Sequence, residues 1–119
     1  MSIIAFTPGV VNTFTALLHD LFFDVPDDGF LVTNGQFVLR LTDQEGFLNK
    51  ERVSEFRLTV HNVLRLKVYG DPKAGPGHDM LNEIKFDKNK FILSLTCCMA
   101  ITKIECHVSK LMLELDQLA

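Results

Sequence analysis

Residues 56–68 read Phe-Arg-Leu-Thr-Val-His-Asn-Val-Leu-Arg-Leu-Lys-Val. Every even position except Asn62 is apolar, while Arg57, Thr59, His61, Arg65 and Lys67 stand at odd ones. Successive side chains of a strand point to opposite faces, so this period of two describes a half-buried β-strand. About 15 unbroken strand residues would exceed the usual 3–10, so Asn62 is expected to mark a bend, a bulge or the turn of a hairpin.

Two segments on either side repeat the rule. Upstream, Asn34-Gly35 separates Phe30–Thr33 from Gln36–Leu39. Asn-Gly suits a type I′ turn, whose two central residues need positive φ, and a two-residue loop would pair Val32 with Phe37 and Phe30 with Leu39. Downstream, a second hairpin is predicted around Lys88-Asn89, pairing Phe86 with Phe91 and Ile84 with Leu93. Between them, Gly70–Gly77 holds three glycines and two prolines and reads as an irregular loop. Thr42–Arg52 reads as a connection in which Phe47 and Leu48 tuck onto the core.

The two ends are less regular. Val10, Val11, Phe14, Leu17, Leu18, Leu21 and Phe22 share one helical stripe after Thr7-Pro8, an N-cap and first-turn pair, which predicts an amphipathic helix over 8–22. Pro26 and Asp27-Asp28-Gly29 end it. At the other end Ile104, Cys106 and Val108 alternate as a strand, then Leu111, Leu113 and Leu115 alternate with switched parity, as a bulge near Ser109-Lys110 would produce. Ile101, Ile104, Val108, Leu111, Met112, Leu115 and Leu118 also fit a helical stripe, but the β-branched residues favour strand. The expected fold is mainly β: one domain over 1–119, an antiparallel β-sandwich or strongly bent sheet built from hairpins, with one N-terminal helix. An α+β fold with an added C-terminal helix is the alternative.

Composition bounds the function. With 119 residues, 47% of them apolar, the chain holds one core and has no room for a second domain. A net charge of -3 gives no general attraction to phosphate, and Lys85, Lys88 and Lys90 are diluted by Glu83 and Asp87, so neither nucleic acid nor membrane is an expected partner. No run reaches the roughly 18 apolar residues of a membrane span, and the first residues lack the basic and apolar regions of a signal peptide. Three cysteines, two of them adjacent at Cys97-Cys98, do not make a disulfide framework, which points to the cytoplasm.

No chemical signature stands out. His19, His61, His78, His107 and the three cysteines lack the spacings of a structural zinc site, and neighbours such as Cys106-His107 point to opposite strand faces, so no metal or other cofactor is expected. Gly75-Pro76-Gly77 leads into a predicted strand rather than a helix, unlike a phosphate-binding loop. No catalytic residue is assigned. The reading that remains is a non-catalytic protein that recognises a protein partner or itself, as an inhibitor, an immunity-type protein or a subunit of an assembly. Its candidate binding residues are His78 and Asp79 at the end of the glycine loop and the acidic cluster Asp24, Asp27 and Asp28. The alternative is a small-ligand-binding protein or enzyme using the 70–79 loop with His61 and His78.

Overall fold

Alternation of apolar and polar residues recurs along most of the chain, and most of the chain is strand. The structure, a computed structural model, describes residues 2–5, 8–43 and 54–118. In chain order these form β1 (Ser2–Ala5), α1 (Pro8–Leu18), β2 (Phe22–Asp24), β3 (Phe37–Asp43), β4 (Ser54–Val60), β5 (Val63–Gly70), a 3-10 turn (Pro72–Ala74), β6 (His78–Asp87), β7 (Ile92–Cys97), β8 (Ile101–Val108) and β9 (Leu113–Leu118). The strands make one nine-stranded sheet in the order β1-β9-β4-β3-β2-β6-β7-β8-β5. Every neighbouring pair is antiparallel.

The order forces the sheet to curl. β4 and β5 stand six places apart, which in a flat sheet is about 29 Å at ~4.8 Å per strand, yet only His61 and Asn62 separate them in sequence. Two residues span far less than that. The link from β8 to β9 makes the same crossing. The sheet therefore bends back on itself, and residues from both halves, such as Leu39, Leu58 and Val60 with Leu81, Leu95 and Ile104, fill one buried core. The Cα radius of gyration is 13.5 Å, as a single domain of this length should have at about 2.2·N^0.38 Å.

The mainly β, antiparallel reading with one N-terminal helix holds, and particular elements differ from expectation. The C-terminal helix alternative is overturned, because Leu113–Leu118 pairs with both β1 and β4. What separates β8 from β9 is a crossing between the two halves of the sheet rather than a bulge. Asn62 is a bend at φ 57, not a hairpin turn, since β4 and β5 do not pair.

Helix α1 stops at Leu18, four residues short of the predicted end. Asp20 turns left-handed at φ 67, its N–H donates to Leu81 O, and Leu21 O accepts from Leu81 N, so β6 claims the chain that would have continued the helix. The helix buries Val11, Phe14 and Leu18 on the core. It is fastened by Thr15, whose hydroxyl donates to Ile84 O and accepts from Ile84 N, each at 2.9 Å. Thr7, Phe47 and Leu48 lie outside the described residues, as do positions 44–53.

The Asn34-Gly35 turn is present, with φ 53 and 72 and both closing hydrogen bonds between Thr33 and Gln36 at 3.0 Å. The predicted ladder beyond it is not: Thr33–Gln36 is an isolated bridge. β3 takes β4 and β2 as its neighbours. Phe30 leaves the strand path to pack against Phe23 and Phe37, with ring centroids 6.2 and 5.7 Å away. The second hairpin forms in a shifted register that pairs Phe86 with Leu93 and Ile84 with Leu95. The Asp87 carboxylate accepts from the N–H groups of Asn89 and Lys90, which lengthens the turn to Lys88–Phe91 and leaves Phe91 at φ 54. A shift of two residues keeps Ile84, Phe86, Leu93 and Leu95 on their predicted face, while Phe91 leaves the strand and is exposed. Among the described residues, no helix is long and apolar enough to cross a membrane.

Candidate functional site

The sheet collects most of the sequence candidates at one place. β2 pairs with β6 so that Asp24 lies opposite His78 and Phe23 opposite Asp79. The pairing continues into the loops, where Val25 N donates to Gly77 O at 3.0 Å. Asp24, Asp27, Asp28 and His78 are all exposed, and the His78 and Phe22 rings meet in a T-shaped arrangement with centroids 5.5 Å apart. Between the loop of Val25–Gly29 and the loop of Pro72–Gly77 opens a cleft of about 320 Å³, with Asp27 and Lys73 among its lining residues. The Asp71 carboxylate shapes the far wall by accepting from Lys73 N at 3.1 Å.

Asp79 sits behind this surface rather than on it. It is fully buried, and its carboxylate accepts from four backbone N–H groups: Met80 at 2.7 Å, Cys98 at 3.3 Å, Met99 at 3.0 Å and Ile101 at 2.9 Å. A buried carboxylate needs such donors in place of water. Asp79 thus ties the turn between β7 and β8 to the start of β6, and it positions the loop whose exposed members are His78 and the 72–77 segment.

A second polar cluster lies on the outer face of β3, β4 and β9. His61 is held at both ring nitrogens, by Gln36 Nε2 at 3.2 Å from Nδ1 and by Glu114 Oε1 at 3.0 Å from Nε2. Because the amide nitrogen donates to Nδ1, the neutral ring carries its proton on Nε2 and donates to Glu114. Arg57 Nη2 donates to Asp116 Oδ2 at 3.3 Å beside it. These residues, with Val38 and Thr59, line a shallow depression of about 230 Å³. His61 and His78 belong to different surfaces, so no site combines them. Gln36, Arg57, Glu114 and Asp116 were not singled out from the sequence. The signal that was available for Arg57, Glu114 and Asp116 is their parity: each is on the wet face of a strand whose register becomes known only on pairing.

The thiols are quiet. Burial pushes Cys106 up to about 12, and burial, then the Asp79 carboxylate, then Cys98 push Cys97 up to about 12. Cys98 is exposed but also raised, by partial burial and by the carboxylates of Asp79 and Asp20. A nucleophilic cysteine needs the opposite, a depressed pKa beside a cation or helix N-terminus. His19 and Asp20 form an exposed pair at 3.1 Å. Among the described residues, no three His, Cys, Asp or Glu side chains are grouped to hold a metal ion.

No protein-family model, curated protein or solved structure matches the chain. Its function has to be read from these surfaces.

Proposed function

We propose that the chain is a small cytoplasmic binding protein that recognises a protein partner through its acidic loop surface and carries out no chemistry of its own. The observation that carries the reading is the contrast between committed and free polar groups. Asp79 is spent on four backbone donors, His61 is held at both nitrogens, and the thiols are raised, whereas Asp24 at the end of β2 and Asp27 and Asp28 in the loop after it are exposed. Exposed carboxylates grouped on a rigid scaffold favour a partner that presents Lys and Arg, and they act chiefly on the rate of encounter. Three unbridged cysteines, one of them exposed, are in keeping with a reducing compartment. An inhibitor, an immunity-type protein or a subunit of an assembly would each use such a surface.

The test is capture from native cell extract by the tagged protein beside a variant carrying Asp24→Ser, Asp27→Ser and Asp28→Ser. A stoichiometric protein partner is expected with the wild type and lost in the variant. Its association should slow about tenfold or more as salt rises or the carboxylates go. Absence of a partner with both proteins would sink the reading. One observation favours the small-ligand alternative: the cleft of about 320 Å³ is of a size that holds a small molecule and has Asp27 and Lys73 in its wall. A ligand that raises the melting temperature of the wild type, but not of Lys73→Ala, would move the assignment there.

A further inference from the structure

We infer that the open edge of β5 takes an extended acidic segment of a partner protein as an additional strand. The inference rests on the reading of the chain as a protein-binding module but concerns a different surface from the acidic loops.

β5 closes one end of the strand order and runs for eight residues, Val63–Gly70, pairing only with β8 among the described residues. Val63 N–H is taken by Gly35 O at 2.8 Å. From Leu64 onward no other described segment pairs with that flank. A row of unpaired backbone groups of this length is a template for a further strand.

The side chains specify what that strand would be. On the core side Leu66 lies opposite Cys106 and Val68 opposite Ile104. Cys106 and Ile104 are fully buried, but Leu66 and Val68 are only half-buried and Leu64 is 74% exposed. The apolar line of β5 is therefore uncovered along its open flank. On the outer side Arg65, Lys67 and Tyr69 stand opposite His107, Glu105 and Lys103.

Glu105, the one carboxylate on the outer face of β5 and β8, is already engaged. Glu105 accepts from the Tyr69 hydroxyl at 2.9 Å and pairs with Lys103 at 3.1 Å, and Lys103 also sits 4.8 Å above the Tyr69 ring. Arg65 and Lys67 are exposed and join no ion pair among the described residues. In a chain of net charge -3, this edge is a local cationic strip.

A newcomer beside β5 would set alternate side chains on its two faces, apolar ones against Leu66 and Val68 and acidic ones against Arg65 and Lys67. A second β5 would bring Arg65 and Lys67 against their own copies, so the charges disfavour self-pairing. Cationic edges ordinarily guard against indiscriminate pairing, and the irregular register at Val63–Arg65 adds to that guard. The same charges admit an acidic strand selectively.

The probe is a blocked decapeptide alternating Val with Glu, and its control alternates Val with Lys. Each is titrated at neutral pH into the isotope-labelled full chain, with amide shifts and hydrogen exchange read residue by residue. The Val/Glu peptide is expected to bind, to shift Leu64–Tyr69 and the facing part of β8, and to slow exchange at alternate amides of β5. In a variant with Arg65→Glu and Lys67→Glu, shown folded by circular dichroism, its affinity should fall at least tenfold while the Val/Lys peptide gains affinity. No binding of the Val/Glu peptide, equal binding to the variant, or shifts confined to another surface would overturn the proposal. So would a dimer, seen by light scattering, that the peptide fails to dissociate, since the edge would then belong to a second copy. Failure here leaves capture through Asp24, Asp27 and Asp28 untouched, so the two readings fail separately.

Discussion

Removing the Asp79 carboxylate should cost more than removing any exposed member of the acidic surface, and the structure says how much. Oδ1 accepts from Met80, Cys98 and Met99, and Oδ2 from Ile101. In Asp79→Asn the amide oxygen can keep the first three, but its NH2 then faces the buried N–H of Ile101, donor against donor. One orphaned buried donor costs about 1–3 kcal/mol. In Asp79→Ala all four donors lose their acceptor. Three lie near exposed Cys98 and Met99 and can recover water, so the estimate is about 2–4 kcal/mol rather than four full penalties. Against a total stability of about 5–15 kcal/mol this is a large fraction. The assay is urea unfolding followed by far-ultraviolet circular dichroism, because the chain has no Trp and one Tyr. At about 1–1.5 kcal/mol per molar urea, a loss of 3 kcal/mol lowers the midpoint by about 2–3 M. The Asn variant should fall between wild type and Ala, and the Ile101 amide should exchange faster in both. Variants within about 0.5 kcal/mol of wild type would refute the view that Asp79 supports the loop rather than meeting the partner.

Three further outcomes are expected. Gly70 has φ 102, and a Cβ there would lie 2.5 Å from Ala100 O and 2.8 Å from Thr102 N; Gly70→Ala should lose about 2–3 kcal/mol or more, while Gly77→Ala, at φ 90 with nothing within 4 Å, should lose about 1 kcal/mol, both measured by urea midpoint. Thr15→Val keeps the shape of the helix contact but orphans Ile84 N and O, so thermal denaturation should show a loss of about 1–3 kcal/mol. Cys106 titrates at about 12 in the fold against 9.0 when free, so its contribution is fully present below pH 9 and is lost as pH rises from about 9 to 12. Stability should drop about 2–3 kcal/mol between pH 8 and pH 11 on this account, and the drop should be smaller in Cys106→Ala; an equal drop in both would contradict the buried thiol.

The candidate site was legible in part. Asp24, Asp27, Asp28 and His78 were named from separate stretches, and the pairing of β2 with β6 brings Asp24 opposite His78. Asp79 shared the same dipeptide signal as His78, yet strand alternation sends it inward to the β7–β8 turn while His78 stays out. The sequence offered no hint of the N–H groups that await it, because three of the four donors come from residues about twenty positions away. His61 was visible, whereas Gln36 and Glu114 become its partners through two strand registers.

By itself the sequence determined the period of its strands, the apolar stripe of the helix, and the turn at Asn34-Gly35, because each depends on interactions within a few residues. Steric limits on φ and the alternation of side chains act locally and need no partner. Tertiary structure alone decided which strands are neighbours, where α1 stops, and that Asn62 carries the chain across to the far edge of the sheet. Those outcomes depend on which backbone groups and core volumes meet after folding. Leu81 could take residues 20–21 from the helix, and Phe30 could leave its strand for Phe23 and Phe37, only because the curled sheet placed them side by side.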